Sequence, residues 1–272
     1  DFGLRGEAPT HPGLLDWLAC EFVDSGWDLK TIHRLIVTSE TYRQSSSSAP
    51  ARRESDPFNT LLGRSARFRL QAEQLRDLSL SAAGLLDRRI GGASVFPVQP
   101  GDYWSEKGQE KDSGKWLTSK GRDLYRRGLY TYWKRMALYP SFWILDAPTR
   151  QVCTVSRSIT NTPIQTLVTL NDPVFFEAAR AFALRILSEV PGGRKKRVEE
   201  AFLIAISRLP STVEATAFSS MLGDLAKRYK GDPQAAASVN PGTGETPAGA
   251  ELAAWTVLAS TLLNLDEAIT RE

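Results

Sequence analysis

Residues 162–189, TPIQTLVTLNDPVFFEAARAFALRILSE, decide the fold class. Thr162 precedes Pro163 and Gln165 follows the cap by three, the pattern of a capping box with proline in the first helical turn. Asp172 before Pro173 repeats the cap and the proline. Phe175, Ala179, Phe182 and Ile186 then recur at helical spacing. Two helices, about 163–170 and 173–189, follow from these signals, each cap contributing about 1 kcal/mol.

The same signals extend in both directions. Pro12, then Leu14, Leu15, Leu18, Phe22 and Val23, predict a helix over about 12–25, with Gly26 where a helix C-terminus wants a residue tolerant of positive φ. Asp28 caps a second helix through Leu29, Ile32, Leu35 and Ile36 to about Ser39, and the two form a helical hairpin. A third, about 70–86, sets Leu75, Leu78, Ala82 and Leu85 toward a core, with Glu73, Arg76 and Asp77 to one side. Further helices are expected at about 194–207, from the Ser211/Glu214 capping box to about 228, and from about 250 through Ala254, Val257, Leu258, Thr261 and Leu262. Residues 125–132, YRRGLYTY, have the content of a short strand and equally suit a helix start. Polar, Pro- and Gly-containing composition marks three exposed loops, about 45–56, 100–123 with Trp104 and Trp116, and 229–249. The expectation is a mainly α chain, one irregular multi-helix domain over 1–272 with long insertions and at most a short β element.

Composition sets outer bounds. With 42% hydrophobic residues the chain has enough apolar content for a packed core, which excludes wholesale disorder. The 34 basic residues are nearly matched by 31 acidic ones, and short basic clusters such as Arg194-Lys195-Lys196-Arg197 are scattered, so no nucleic-acid partner is expected. No apolar run approaches the roughly 18 residues of a transmembrane segment. Cys20 lies on the apolar side of the first helix, where a buried thiol is the usual reading, and pairing with Cys153 stays open. The chain opens on Asp1 rather than Met, as expected of a fragment or a processed product.

Chemistry has few handholds. His11 and His33 are the two histidines, too few for a catalytic zinc, and no metal is expected. His11 beside Pro12 suits a helix entry, while His33 suits a general base facing a cleft, with Glu73 and Asp77 as carboxylate partners. The alternative for Glu73, Arg76 and Asp77, at i, i+3 and i+4, is a salt-bridge set on one helix face. Tyr42 and Arg43, and Arg157 with Asn161, are polar groups suited to an anion or a sugar, or to ordinary loop bonding. Tyr130, Tyr132, Trp133, Tyr139, Phe142 and Trp143 form either a carbohydrate platform or core. Hydrolase, dinucleotide and phosphate-loop motifs are lacking.

Several blocks together resemble a known family. Asp1-Phe2-Gly3-Leu4-Arg5-Gly6-Glu7, Pro9-Thr10-His11-Pro12, Ser25-Gly26-Trp27-Asp28, His33-Arg34-Leu35-Ile36-Val37-Thr38-Ser39, Thr41-Tyr42-Arg43-Gln44, Thr160-Asn161-Thr162-Pro163, Leu170-Asn171-Asp172-Pro173 and Leu263-Asn264-Leu265-Asp266-Glu267 carry the likeness. They are similar to the C-terminal domain of unknown function of planctomycete cytochrome-c-containing proteins. Ala268 departs from it, standing where an aromatic is common. The resemblance implies further helical sequence before the Asp-Phe-Gly block, an export signal and often a c-type haem domain upstream. It places the chain in the cell envelope or periplasm, with upstream domains of the same polypeptide as partners and no cofactor held within this chain. The function implied is an accessory or binding module, with polysaccharide as one ligand class. The alternatives are an enzyme with a His/carboxylate cleft and a purely structural interaction domain.

Overall fold

The structure is a computed structural model that describes residues 5–101, 103, 116–135, 137–241 and 247–271. The Asp1–Leu4 opening and Trp104 lie outside the described residues. Helices dominate: α1 Pro12–Asp24, α2 Leu29–Thr38, α3 Glu40–Arg43, α4 Pro50–Ser55, α5 Ala72–Ala82, α6 Pro140–Ile144, α7 Pro163–Asn171, α8 Pro173–Glu189, α9 Arg194–Ile206, α10 Thr212–Gly231, α11 Pro233–Val239, α12 Pro247–Leu263 and α13 Asp266–Ile269. Two short strands, β1 Phe68–Arg69 and β2 Thr270–Arg271, pair with each other. The chain is mainly α. Its contacts separate into two compact units, one of residues 1–68 with 271–272, the other of residues 69–270.

In the first unit the expected caps are in place. Trp27 N–H donates to Phe22 O and Gly26 N–H to Val23 O, with Gly26 at φ +70, so α1 ends in a Schellman motif. Phe22 and Trp27 complete it with ring centroids 5.1 Å apart. The Asp28 carboxylate accepts from Lys30 N (2.9 Å) and Thr31 Oγ1 (2.7 Å), starting α2. Residues 45–56 are not all loop, because Pro50 at the first turn allows the short helix α4. Cys20 is exposed rather than buried, and both it and Cys153 are free thiols.

The second unit is organised by α12. This helix is apolar all round, and Leu252, Ala253, Ala254, Trp255, Thr256, Leu258, Ala259, Ser260, Leu262 and Leu263 are buried. Helices α8, α9, α10 and α11 pack on it, and α5 packs on α8. The alanines of α12 and its lack of charge after Glu251 let neighbours approach from several sides. Helix α5 stops at Ala82, short of expectation, because Gly84 at φ +74 turns the chain so that Leu85 N–H and Leu86 N–H both reach Leu80 O.

Three further expectations change. The 229–249 stretch contains α11, capped by Asp232, whose side chain accepts from Ala235 N at 2.9 Å; Ala236 and Asn240 are fully buried. In the 100–123 stretch, Trp116 is half-buried, donates to Pro97 O (2.9 Å) and stacks on Tyr139. Residues 125–132 form no strand. Gly121–Tyr125 and Gly128–Tyr130 are 3-10 turns, with isolated bridges from Arg126 to Asp87 and from Thr131 to Val95.

Candidate functional site

Two regions hold the residues with functional potential, one in each unit. In the first, α1 presents Leu14, Trp17 and Leu18, and α2 presents Leu35 and Ile36, to a groove of about 530 Å³. The hairpin periodicity is thus correct, yet no described residue from Arg5 to Phe68 is buried. Ser39 joins α2 to α3, its hydroxyl donating to Ile36 O (2.7 Å) and accepting from Tyr42 N (3.2 Å). That turn sets Tyr42 in the groove wall, where the Arg271 guanidinium lies 4.1 Å over its ring. Among the described residues Arg271 has no acidic partner.

The loop lining the groove holds its own shape. Asp56 accepts from Leu61 N and Thr60 N (2.8 Å each) and from Thr60 Oγ1 (2.9 Å). Its carboxyl is held below the ordinary value, the Leu61 bond being the largest cause. Arg64 donates to Asp56 O and Pro57 O, Asn59 exchanges bonds with the Arg64 backbone, and Gln44 Nε2 donates to Leu62 O. The groove is therefore preformed on its loop side. His11 stands at the N-cap position of α1 and makes no cap bond; its Nδ1 is 3.0 Å from Thr10 Oγ1. His33 and Arg43 are exposed and do not line the groove.

In the second unit the Glu73, Arg76, Asp77 triplet divides among three destinations. Glu73 pairs with Arg157 at 2.8 Å, which joins two of the candidate residues. Asp77 pairs with Arg127 (3.3 Å) and accepts from Gly128 N (2.6 Å). Arg76 belongs to no solvated face: it is 2% exposed, and one amino group donates to Leu124 O at 2.6 Å. Burial lowers its pKa, opposed by the charges of Tyr139, Asp77 and Asp172. Together the three side chains clamp the 124–128 segment and the Arg157 loop onto α5. Gly128 is needed there, because a Cβ on it would stand 2.8 Å from Glu73 Cα. Both carboxylates are thus committed to cations. Asn161 is exposed.

Two carboxylates outside the sequence-predicted site residues sit at the centre of denser networks. One oxygen of Asp146 accepts from Arg69 (2.6 Å), Thr160 N and Oγ1 (2.8 Å each) and Gln165 Nε2 (3.1 Å). Partial burial raises its pKa, but those bonds outweigh burial and hold it low. Asp172 caps α8 through Val174 N and also accepts from the buried Ser141 hydroxyl; burial pushes its pKa up despite both bonds. The Asp-Pro cap was legible for Asp172. For Asp146, at φ +62 in a loop, no local signal exists. Nor do the aromatics of 130–143 make a platform: Tyr139 and Phe142 are core, Tyr132 stacks on Phe96, Arg150 covers Trp133, and only Trp143 among them is exposed, at 55%.

Residues 1–222 match the PSD1 family, described as a protein of unknown function (DUF1553). The chain belongs to that family. The PSD1 match takes in the whole groove hairpin and the α5 clamp, and its last residue, Leu222, lies within α10. No match was found among curated proteins or among solved structures. No helix among the described residues is long and apolar enough to cross a membrane, and no group of three or more His, Cys, Asp or Glu among them is placed to hold a metal.

Proposed function

We propose that this PSD1 chain is an accessory docking module of a larger exported, haem-c-associated protein, and that the groove of its first unit receives an apolar helical segment from another domain of the same polypeptide. The observation that carries the reading is the burial contrast. Around a preformed groove, Leu14, Trp17 and Ile36 remain 39–48% exposed, and no described residue of 5–68 is buried. Apolar surface of that extent on a formed concavity marks an interaction site. Its shape suits an amphipathic helix lying between α1 and α2. Arg271, over Tyr42 and without an acidic partner among the described residues, calls for an acidic side chain on the incoming segment. The exported, haem-associated setting is supported by the sequence blocks described above.

Hydrogen exchange tests the reading. The natural gene product, expressed from its start codon, is compared with this chain alone. Amides of α1 and α2 are expected to gain at least about tenfold protection in the longer product, corresponding to about 1.4 kcal/mol of added local stability. Ile36→Asp is expected to abolish that gain. Equal exchange in the two proteins overturns the docking proposal, and absence of a c-haem absorption band in the natural product overturns the haem setting.

A further inference from the structure

The groove between α1 and α2 is mostly apolar and carries positive charge without negative. Trp17, Leu18, Ile36, Leu62 and Phe68 line it, and its surface is open rather than packed away: Trp17 is 48% exposed, Ile36 39% and Leu62 37%. None of the described residues in its wall is acidic, whereas two are arginines. The Arg64 guanidinium is committed to the loop, donating to Asp56 O (2.9 Å) and Pro57 O (2.8 Å). That of Arg271 makes no hydrogen bond and no ion pair among the described residues. Aromatic faces alone hold it, 4.1 Å over the Tyr42 ring and 5.8 Å from the Phe68 ring.

A guanidinium in that position is half of an interaction. The rings fix where it lies and leave its N–H fork unused, and that fork fits a carboxylate through two parallel bonds. A concavity of about 530 Å³, apolar over most of its wall and bearing one free guanidinium, is the complement of a molecule with a single carboxylate and a single apolar tail. Sugars and nucleotides suit it less, because their hydroxyls would lie against Trp17, Leu18 and Ile36 without partners. A polyanion would meet only one free cation.

We propose that this groove binds an ionised single-chain carboxylic acid of the fatty-acid class, with the carboxylate on Arg271 and the alkyl chain along Trp17, Leu18, Ile36 and Leu62. An acidic side chain on an apolar helix presents the same two groups to the same wall, so the two occupants exclude each other. The second half of the inference rests on the docking reading given above: a free carboxylate of this class displaces the docked segment and so regulates the contact between domains. Binding by this chain alone does not depend on that reading.

The test is a titration of the isotope-labelled chain with octanoate, octylammonium and acetate, followed at the Trp17 indole N–H and the Ile36 and Leu62 amides. Octanoate is expected to saturate the shifts below about 1 mM, at least about tenfold more tightly than octylammonium, which has the same tail and the opposite charge. Acetate, which lacks the tail, is expected to leave the shifts unmoved. Arg271→Gln is expected to weaken octanoate at least about tenfold while the amide spectrum outside the groove stays as in wild type. Lack of saturation by octanoate, or shifts that begin only once micelles form, overturns the site. Equal affinity for octylammonium, or octanoate affinity unchanged in Arg271→Gln, overturns the seat of the carboxylate. In the natural gene product, saturating octanoate is expected to erase the added exchange protection of α1 and α2. Protection that persists overturns the displacement. Absence of protection before octanoate is added overturns the docking reading and the displacement with it, while the titration of this chain alone still decides the site.

Discussion

The two units are built from the same kind of helix and come to different ends. Helices α1 and α8 both begin with proline at the first turn and both repeat apolar residues at three and four. Phe182 of α8 is nonetheless fully buried, and Trp17 of α1 is 48% exposed. Amphipathic periodicity specifies a face and says nothing about what covers it. In the second unit the cover is α12, a helix without a polar side. The first unit has no such element among its described residues, and its apolar face lines a groove instead.

Substitutions with matched chemistry are the sharpest way to break this contrast. Phe182→Ala removes a ring at the centre of the second unit and is expected to cost about 3–5 kcal/mol of global stability in urea denaturation. Trp17→Ala is expected to cost less than about 1 kcal/mol in the same experiment. Comparable losses at the two sites would mean that the groove residues carry core energy after all. Gly128→Ala comes next, at about 1–3 kcal/mol, because its new Cβ meets the Glu73 backbone rather than a movable side chain. A melting temperature unchanged from wild type would show that the clamp on α5 is slack.

Caps sharpen the comparison further. Asp232→Ala unties α11 from a cap bond in the buried unit and is expected to lower global stability by about 1 kcal/mol. Asp28→Ala loses the equivalent cap of α2, where faster amide exchange in 29–38 with an unmoved global midpoint is the expected result. The smallest effect is a pH dependence. Arg208 bridges Glu214 (2.6 Å) and Glu267 (2.7 Å), and its guanidinium, followed by the Ser211 backbone N–H, draws the Glu214 pKa from 4.5 down to about 2. A carboxyl with a lowered folded pKa contributes stability above its unfolded pKa. That contribution is lost as pH falls from 4.5 to about 2. Glu214→Gln should flatten the acid limb of the stability curve in that window, modestly, because the pair is solvent-screened. An acid limb identical to wild type would remove the bridge from the account.

Sequence legibility followed the range of the interactions. The boundaries of α1, α2, α7, α8 and α10 were readable because a cap bond spans two or three residues and a Schellman turn spans five. Helix α11 carried the same Asp-Pro signal at Asp232-Pro233 as α8 does at Asp172-Pro173, but the surrounding Gly, Ala and Pro made it read as linker. At the candidate sites less was visible. The i, i+3, i+4 spacing of Glu73, Arg76 and Asp77 could not foretell that one would enter the core and that the others would reach Arg157 and Arg127, 84 and 50 residues away.

By itself, then, the sequence determined a mainly helical PSD1 chain, where most helices start and stop, and which face of each is apolar, because those properties depend on bonds between near neighbours and on a 3.6-residue repeat. Tertiary structure alone decided that α12 is enclosed, that the α1–α2 face stays open as a groove, and that Arg76 is buried while Glu73 and Asp77 pair with distant arginines. Burial and pairing depend on surfaces brought together from distant parts of the chain, and local spacing holds no record of them.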